Sequence, residues 1–345
     1  MTSRPPSGPA PGHAPGAAGA DHAAEPGDEA LQEAPAPACV LSFNVADPSG
    51  AGGSAGDVAT LAAMGAHALP VTCGVLMRDS AEIFDHHPID AEVITEQART
   101  ILEDITVSGW KVGFLGSAEG VSAVAEILSD YPDVPLVSYL PNLGWLDEDQ
   151  AQPYHEAFRE LILPATELLV GSHKTLTDFL LPDWESERPP SARELAVAAG
   201  ERGTRYVLVT GIMLPTKGTE QYIDNVLASP QGAITGEKFE MFDTAFVGAG
   251  DTLSAALAAL LASGSELQAA VGEALSFMDQ TLDAGFRPGM GGVVPDRFFW
   301  ALPPAEEGQE GADGQPGASM PPAAAPSPAE PEPPKANKPP PRRMH

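Results

Sequence analysis

The sequence predicts an α/β fold, a three-layer α/β/α sandwich around a mostly parallel central sheet. Three observations carry this reading. Short apolar runs read as buried strands and alternate along the chain with amphipathic helical stretches. Two glycine-rich loops each join a strand to a helix, the place where ligands bind in such sheets. The prolines crowd into the ends, with 21 of the 36 in residues 1–37 and 303–345. Segments so rich in Pro, Ala and Gly bury too little apolar surface to offset their ordering entropy, so both tails are expected to be disordered. The folded part is expected to be one domain over residues 38–302. A domain of that size buries roughly 70–75% of its unfolded surface and needs no disulfide or metal staple.

The elements follow in order. Cys39–Phe43 is a buried strand, and Asp57–Met64 a helix stopped at Gly65. Ala68–Met77 is a second strand, and Ala91–Ile105 carries apolar residues near helical spacing. Lys111–Leu115 and Leu136–Tyr139 are short strands on either side of a helix at Glu119–Leu128. A helix at Asp149–Leu163 leads to a strand at Glu167–Val170. Ser191 caps a helix running to Arg202, before a clear strand at Tyr206–Thr210. Gln221–Val226 and Lys238–Phe242 read as a strand pair, and Asp251–Ala262 and Glu266–Ala284 as two successive helices.

Charge excludes some partners. The chain has 345 residues, 48 acidic and 18 basic, for a net charge of −30. The predicted domain holds 37 of the acidic and 13 of the basic residues, a net −24. No basic stripe exists to neutralise a phosphate backbone, so nucleic acid is not an expected partner. Anionic membranes would repel the chain for the same reason. No segment approaches 18 uninterrupted apolar residues, and the N-terminus lacks a basic region followed by an apolar one. Cys39 and Cys73, the only cysteines, sit in apolar runs and suit buried, reduced thiols in the cytoplasm. The pair His86-His87 has no acidic or Cys partner at ligand spacing and is read as structural. The four tryptophans are read as packing residues.

The first glycine loop runs from Asp47 to Asp57 and places four glycines within Gly50–Gly56. Glycine lets backbone amides approach a ligand and adopt positive φ. No Gly-Lys-Ser/Thr follows, so this is not a Walker loop. The second loop, Val247 to Thr252, leads into a helix of small residues. Free amides in the first turn of that helix, with its dipole, favour an anion. Asp251 at this end is either an N-cap or a catalytic carboxylate. Phosphoryl transfer needs amides for the transferred charge and a carboxylate for the proton of the attacking hydroxyl. Gly248 to Asp251 supply both.

The stretches DPSGAGGSAGDVATLAAMGAHALPVTCGVL and VGAGDTLSAALAALLASG resemble the ribokinase-like vitamin kinases. The match is with the hydroxymethylpyrimidine/phosphomethylpyrimidine kinase family, with pyridoxal kinase as near relative. WKVGFLGS at Trp110–Ser117 and TGIMLPT at Thr210–Thr216 agree with it. The resemblance implies a ribokinase-like fold and ATP-dependent phosphorylation of hydroxymethylpyrimidine and its monophosphate, with Mg²⁺. A pyridoxal kinase and a non-catalytic nucleotide- or pyrimidine-binding relative are the alternatives, and a homodimer is left open. It further implies an anion hole at Gly248, Ala249 and Gly250, and a catalytic base at Asp251. Asp57, Asp47, Gly53 and Arg78 fall on the substrate side, and Thr210 and Gly211 on the ATP side. The chain departs from the family in five places, one of them Arg78, which stands where the family has a substrate-contacting Gln or Glu. Asp251 stands where the pyrimidine kinases usually carry Cys, and after the strand at Leu136–Tyr139, where they carry an Asp-Pro pair, the sequence is Tyr139-Leu140-Pro141-Asn142. Ser172-His173-Lys174-Thr175 replaces an Asn-x-x-Glu motif that helps place magnesium, so the metal ligands stay unassigned. Gly211 stands where a phosphate-binding lysine is usual, and Lys174 and Lys217 are the candidates to replace it.

Overall fold

The computed structural model describes residues 36–301 except 217 and 219. The expected tails, and Lys217, lie outside the described residues. The described chain forms nine strands in one sheet of order β3-β2-β1-β4-β5-β6-β7-β8-β9. These are β1 Cys39–Ala46, β2 His67–Arg78, β3 Ile83–Pro88, β4 Gly109–Val112 and β5 Leu136–Tyr139. They continue with β6 Leu168–Ser172, β7 Tyr206–Met213, β8 Tyr222–Ser229 and β9 Gly232–Glu240. Every pairing from β2 through β1, β4, β5 and β6 to β7 is parallel. The flanking strands β3, β8 and β9 pair antiparallel.

Eight α-helices cover the sheet: α1 Gly53–Ala63, α2 Ala91–Leu102, α3 Ala118–Ser129, α4 Glu148–Ala157, α5 His173–Leu180, α6 Ala192–Gly200, α7 Ala249–Ala262 and α8 Leu267–Asp283. α1, α7 and α8 pack on one face and α2 to α6 on the other, which gives the expected three layers. α7 lies against the middle of the sheet because its facing residues are small; Ala255, Ala256, Ala258 and Ala259 are all buried. Side chains alternate across a strand. In β1, Leu41, Phe43 and Val45 therefore enter the core beneath α2 and α3. Ser42 and Asn44 point the other way, towards α1 and α7, and are equally buried. Lys111 in β4 pairs in register with Ser42 and shares its face.

Several elements differ from expectation. α1 starts at Gly53 rather than Asp57, because the end of the glycine loop already has helical geometry. β4 spans Gly109–Val112, starting before and ending short of the expected Lys111–Leu115. The expected helix at 149–163 is α4 up to Ala157, followed by a π-helical turn over Phe158–Ile162 and a short 3₁₀ turn that contains Pro164. β7 runs past Thr210 to Met213 through an irregularity at Thr210-Gly211, where Gly211 has φ 69°. β3 and α5 had no counterpart in the sequence reading. β3 is half polar, and α5 is a short helix capped by Ser172, whose Oγ accepts from Thr175 N. Cys73 is buried as expected, Cys39 is half-buried, and both thiols are free. His86 is buried with Nε2 2.9 Å from the Gly116 carbonyl, a structural role. Among the described residues no helix is long and apolar enough to cross a membrane.

Candidate active site

The two glycine loops meet at the carboxyl ends of the central strands. Gly248 forms the N-cap of α7 with φ 82° and ψ 4°, a left-handed conformation that non-glycine residues adopt at a cost. A Cβ there would collide with the carbonyl of Ala51 in the first loop. A Cβ on Gly52 would stand 2.7 Å from Asp251 Oδ2, and one on Gly250 would strike the ring of Tyr139. The glycines thus permit backbone contact between two loops about 200 residues apart in sequence. Arg297 ties them together from below. Its Nε donates to Thr60 Oγ1 in α1 and to Thr252 Oγ1 in α7, both at 3.1 Å, and its Nη2 donates to the Ala51 carbonyl.

Because α7 begins at Ala249, Asp251 is its third residue and not its cap. Its carboxylate reaches across to the first loop instead. Gly53 N donates to Oδ2 at 3.0 Å, and Oδ1 accepts from Asn44 Nδ2 at 2.8 Å. Lys111 Nζ lies 2.7 Å from the same Oδ1. Asp251 keeps 16% of its side chain exposed, and that part lines a cavity. Lys111 is fully buried and bridges to a second carboxylate, Asp57, at 2.8 Å. Asp57 also accepts from Ser42 Oγ at 2.5 Å and Asn44 Nδ2 at 3.0 Å. Two carboxylates and one ammonium therefore share a buried site of net charge −1.

This arrangement separates the two acids. Burial raises the Asp57 carboxyl above its ordinary range, and Lys111 only partly opposes it. Burial pushes Asp251 the same way, but Lys111, the Gly53 amide and Asn44 outweigh it and hold Asp251 below the ordinary range. Lys111 is raised, because Asp251 and Asp57 outweigh its own desolvation. Asp251 is thus ionised at neutral pH, and it lines the cavity.

The cavity has a volume of about 610 Å³ and opens between the two loops and the ends of β1, β2 and β5. That suits a small molecule. Asp47, Gly53, Arg78, Tyr139, Trp145 and Asp251 are among its walls. Asp47 accepts from the amides of Ser49 and Gly52 at 2.8 and 3.1 Å and pairs with Arg78 Nη1 at 3.3 Å. Arg78 Nε donates to the Asp79 carbonyl at 2.9 Å. Trp145, read from the sequence as packing, packs edge-on against His86 and also forms cavity wall.

The structure brings together Asp251, Gly248, Gly53, Asp47 and Arg78, with Ala249 and Gly250 in the first turn behind them. It corrects the expectation for Asp57, which is completely buried beneath Lys111 and does not line the cavity. It also leaves Thr210 and Gly211 off this cavity, on β7. There Thr210 Oγ1 donates to the Gly171 carbonyl at 3.3 Å and Gly211 N to Asn225 Oδ1 at 2.9 Å. Lys174, a candidate to replace the usual lysine, pairs on the surface with Asp178 at 2.6 Å. Sequence reasoning missed Lys111, Asn44, Arg297 and Tyr139. A signal for Asn44 was present: with Ser42 it sets polar residues at alternate positions inside an apolar strand run, which marks a buried polar face.

The sequence profile described as phosphomethylpyrimidine kinase matches residues 47–296. The hydroxymethylpyrimidine/phosphomethylpyrimidine kinase of Streptomyces coelicolor is 28% identical over 269 residues, covering 77% of this chain and 96% of that protein. The thiamine biosynthetic bifunctional enzyme TH1 of Arabidopsis thaliana is 29% identical over 251 residues, 71% of this chain but 46% of that longer protein. Among solved structures, an ADP complex of Bacillus subtilis pyridoxal kinase superposes with a TM-score of 0.66 at 23% identity, over 77% of this chain and 99% of that one. That likeness establishes the ribokinase-like fold. The profile runs from Asp47 through Asp296 and so takes in both glycine loops and the buried Lys111 between them, which makes this chain a member of the phosphomethylpyrimidine kinase family.

Proposed function

We propose that the protein transfers the γ-phosphoryl group of ATP to hydroxymethylpyrimidine and to its monophosphate, a step of thiamine biosynthesis, in the cytoplasm. One observation carries the mechanism. An ionised carboxylate, Asp251, stands in the first turn of α7, and the 16% of its side chain that stays exposed lines a cavity sized for a small molecule. The amides of Gly248, Ala249 and Gly250 and the α7 dipole supply the positive potential that an anionic phosphoryl group needs. The hydroxyl oxygen of the acceptor attacks the γ-phosphorus, the bond from that phosphorus to the ADP oxygen breaks, and Asp251 takes the hydroxyl proton. Held ionised at neutral pH, Asp251 is in the form that accepts the hydroxyl proton. Lys111 keeps Asp251 ionised, and Asn44 and Gly53 aim it. The Asp47–Arg78 pair and Trp145 form the walls for the acceptor ring.

Among the described residues no three His, Cys, Asp or Glu side chains converge as a metal site. Magnesium would therefore enter with the nucleotide, with phosphates and water as most of its ligands, as its coordination habit favours. It would supply charge neutralisation between the phosphates. The reading is tested by ATP turnover with hydroxymethylpyrimidine, its monophosphate, pyridoxal and ribose. Turnover with the first two supports it. Turnover with pyridoxal alone would assign the second reading, which the fold likeness to a pyridoxal kinase favours. Nucleotide binding without turnover of any acceptor would leave a non-catalytic relative.

A further inference from the structure

Tyr139 ends β5 beside the first turn of α7 and lines the same cavity as Gly248 and Asp251. Its phenol end lies directly against Gly250, so close that a Cβ on Gly250 would overlap the ring and its hydroxyl oxygen. Only glycine at 250 admits the ring, so the ring's place is built into the second loop. Lys111 Nζ sits 5.9 Å from the ring centroid and helps fix it. The polar side chains that share the buried cluster with Asp251 are engaged. Asn44, Lys111, Asp57 and Ser42 hydrogen-bond with one another or with Asp251. The Tyr139 hydroxyl makes no hydrogen bond among the described residues. The phenol is therefore a donor that the fold leaves open to the cavity, beside amides that favour an anion.

We infer that the Tyr139 hydroxyl is a catalytic donor. It adds a side-chain hydrogen bond to the amides of Gly248 to Gly250 and holds a non-bridging oxygen of the transferring phosphoryl group. The phenol serves as a neutral donor, since burial and the charge of Asp251 both hold its proton in place. No bond to Tyr139 forms or breaks. The inference rests on the kinase reading above and adds a residue to that site.

Tyr139→Phe removes one oxygen and keeps the ring, so packing on Gly250 is preserved. Loss of one preorganised donor to a developing charge typically costs on the order of 10²-fold in rate. The expected result is a kcat lower by about that factor, an acceptor KM within roughly threefold of wild type, and an unchanged melting temperature. Calorimetry with the nonhydrolysable AMP-PCP and with ADP gives a second readout that needs no acceptor. The variant should bind AMP-PCP more weakly than wild type does and ADP equally well. A wild-type kcat in Tyr139→Phe, with equal AMP-PCP affinity, overturns the inference and leaves the kinase reading intact. Faster turnover in Tyr139→Ala also overturns it, since the ring would then be an obstruction. A wild-type protein that binds neither nucleotide overturns the kinase reading itself, and the inference with it.

Discussion

Replacing Lys111 by Met tests the buried charge arrangement on which the site is built. Lys111 and Asp57 are fully buried, and Asp251 is 16% exposed, so solvent screens this cluster little. Methionine fills a similar volume but leaves two carboxylates face to face with no cation. Removing one partner from a buried ion pair costs about 3–5 kcal/mol, because the charge left behind is uncompensated. At roughly 2–4 °C per kcal/mol for a domain of this size, the melting temperature at pH 7.5 should fall by roughly 6–20 °C. The pH dependence gives a sign. In wild type, Asp251 lies below its unfolded value, so its stabilising contribution is present at neutral pH and lost as pH falls through its folded value. In Lys111→Met both carboxyls are raised by burial and by each other, so the folded state binds extra protons. The variant should therefore recover stability relative to wild type between pH 7.5 and 5.5. Adding Asp57→Asn to Lys111→Met should restore a large part of the loss at pH 7.5, because one buried charge is gone. Thermal melts monitored by circular dichroism at the two pH values decide the matter. A Lys111→Met melt within about 2 °C of wild type at pH 7.5 and no recovery at pH 5.5 would refute the charge argument.

Gly248→Ala should cost both stability and turnover. Alanine in a left-handed conformation is strained by roughly 1–2 kcal/mol, and its Cβ would also meet the Ala51 carbonyl and push the loops apart. The expected outcome is a melting temperature lower by several degrees and a kcat lower by more than about tenfold; wild-type values for both would show that the contact between the loops is dispensable. Turnover should vanish in excess chelator and return with added Mg²⁺, and the concentration required should track the nucleotide, because no described carboxylate cluster stores the ion. Full activity in chelator would contradict this.

The parts of the fold that depend on local chemistry could be read from the chain. Continuous apolar runs such as Tyr206–Thr210 marked strands buried on both faces, and Ser191 marked the start of α6. The glycine loops were visible because no turn needs so many glycines, and Gly248 and Gly52 now have steric reasons. What was not legible depends on strand register. Lys111 sits inside the apolar run of β4, and only its pairing opposite Ser42 turns it towards Asp57 and Asp251. Asp57 was placed on the substrate side by the resemblance alone, but it lies within α1, which starts at Gly53, and is fully buried there. Arg297 comes from the far end of the domain, and no local pattern links it to Thr60 or Ala51. Tyr139 was seen only as a departure from a family pattern, and its meaning needed the contact with Gly250.

The central claim is that Asp251 takes the acceptor proton. Asp251→Asn is the most direct test, because the change leaves a neutral Lys111–Asp57 pair behind. Asparagine still offers one oxygen to Lys111 and Asn44. It loses only the acceptor for Gly53 N, a cost of about 1–2 kcal/mol, so the melting temperature should fall by no more than a few degrees. Nucleotide binding should persist through the amides of Gly248 to Gly250. Turnover should fall by at least about 100-fold, the contribution of a positioned general base. Steady-state turnover and a thermal melt of the same preparation measure both. A kcat within about threefold of wild type in a folded Asp251→Asn protein would contradict the account, because Asp251 would then only organise the loops and the proton would leave by another route.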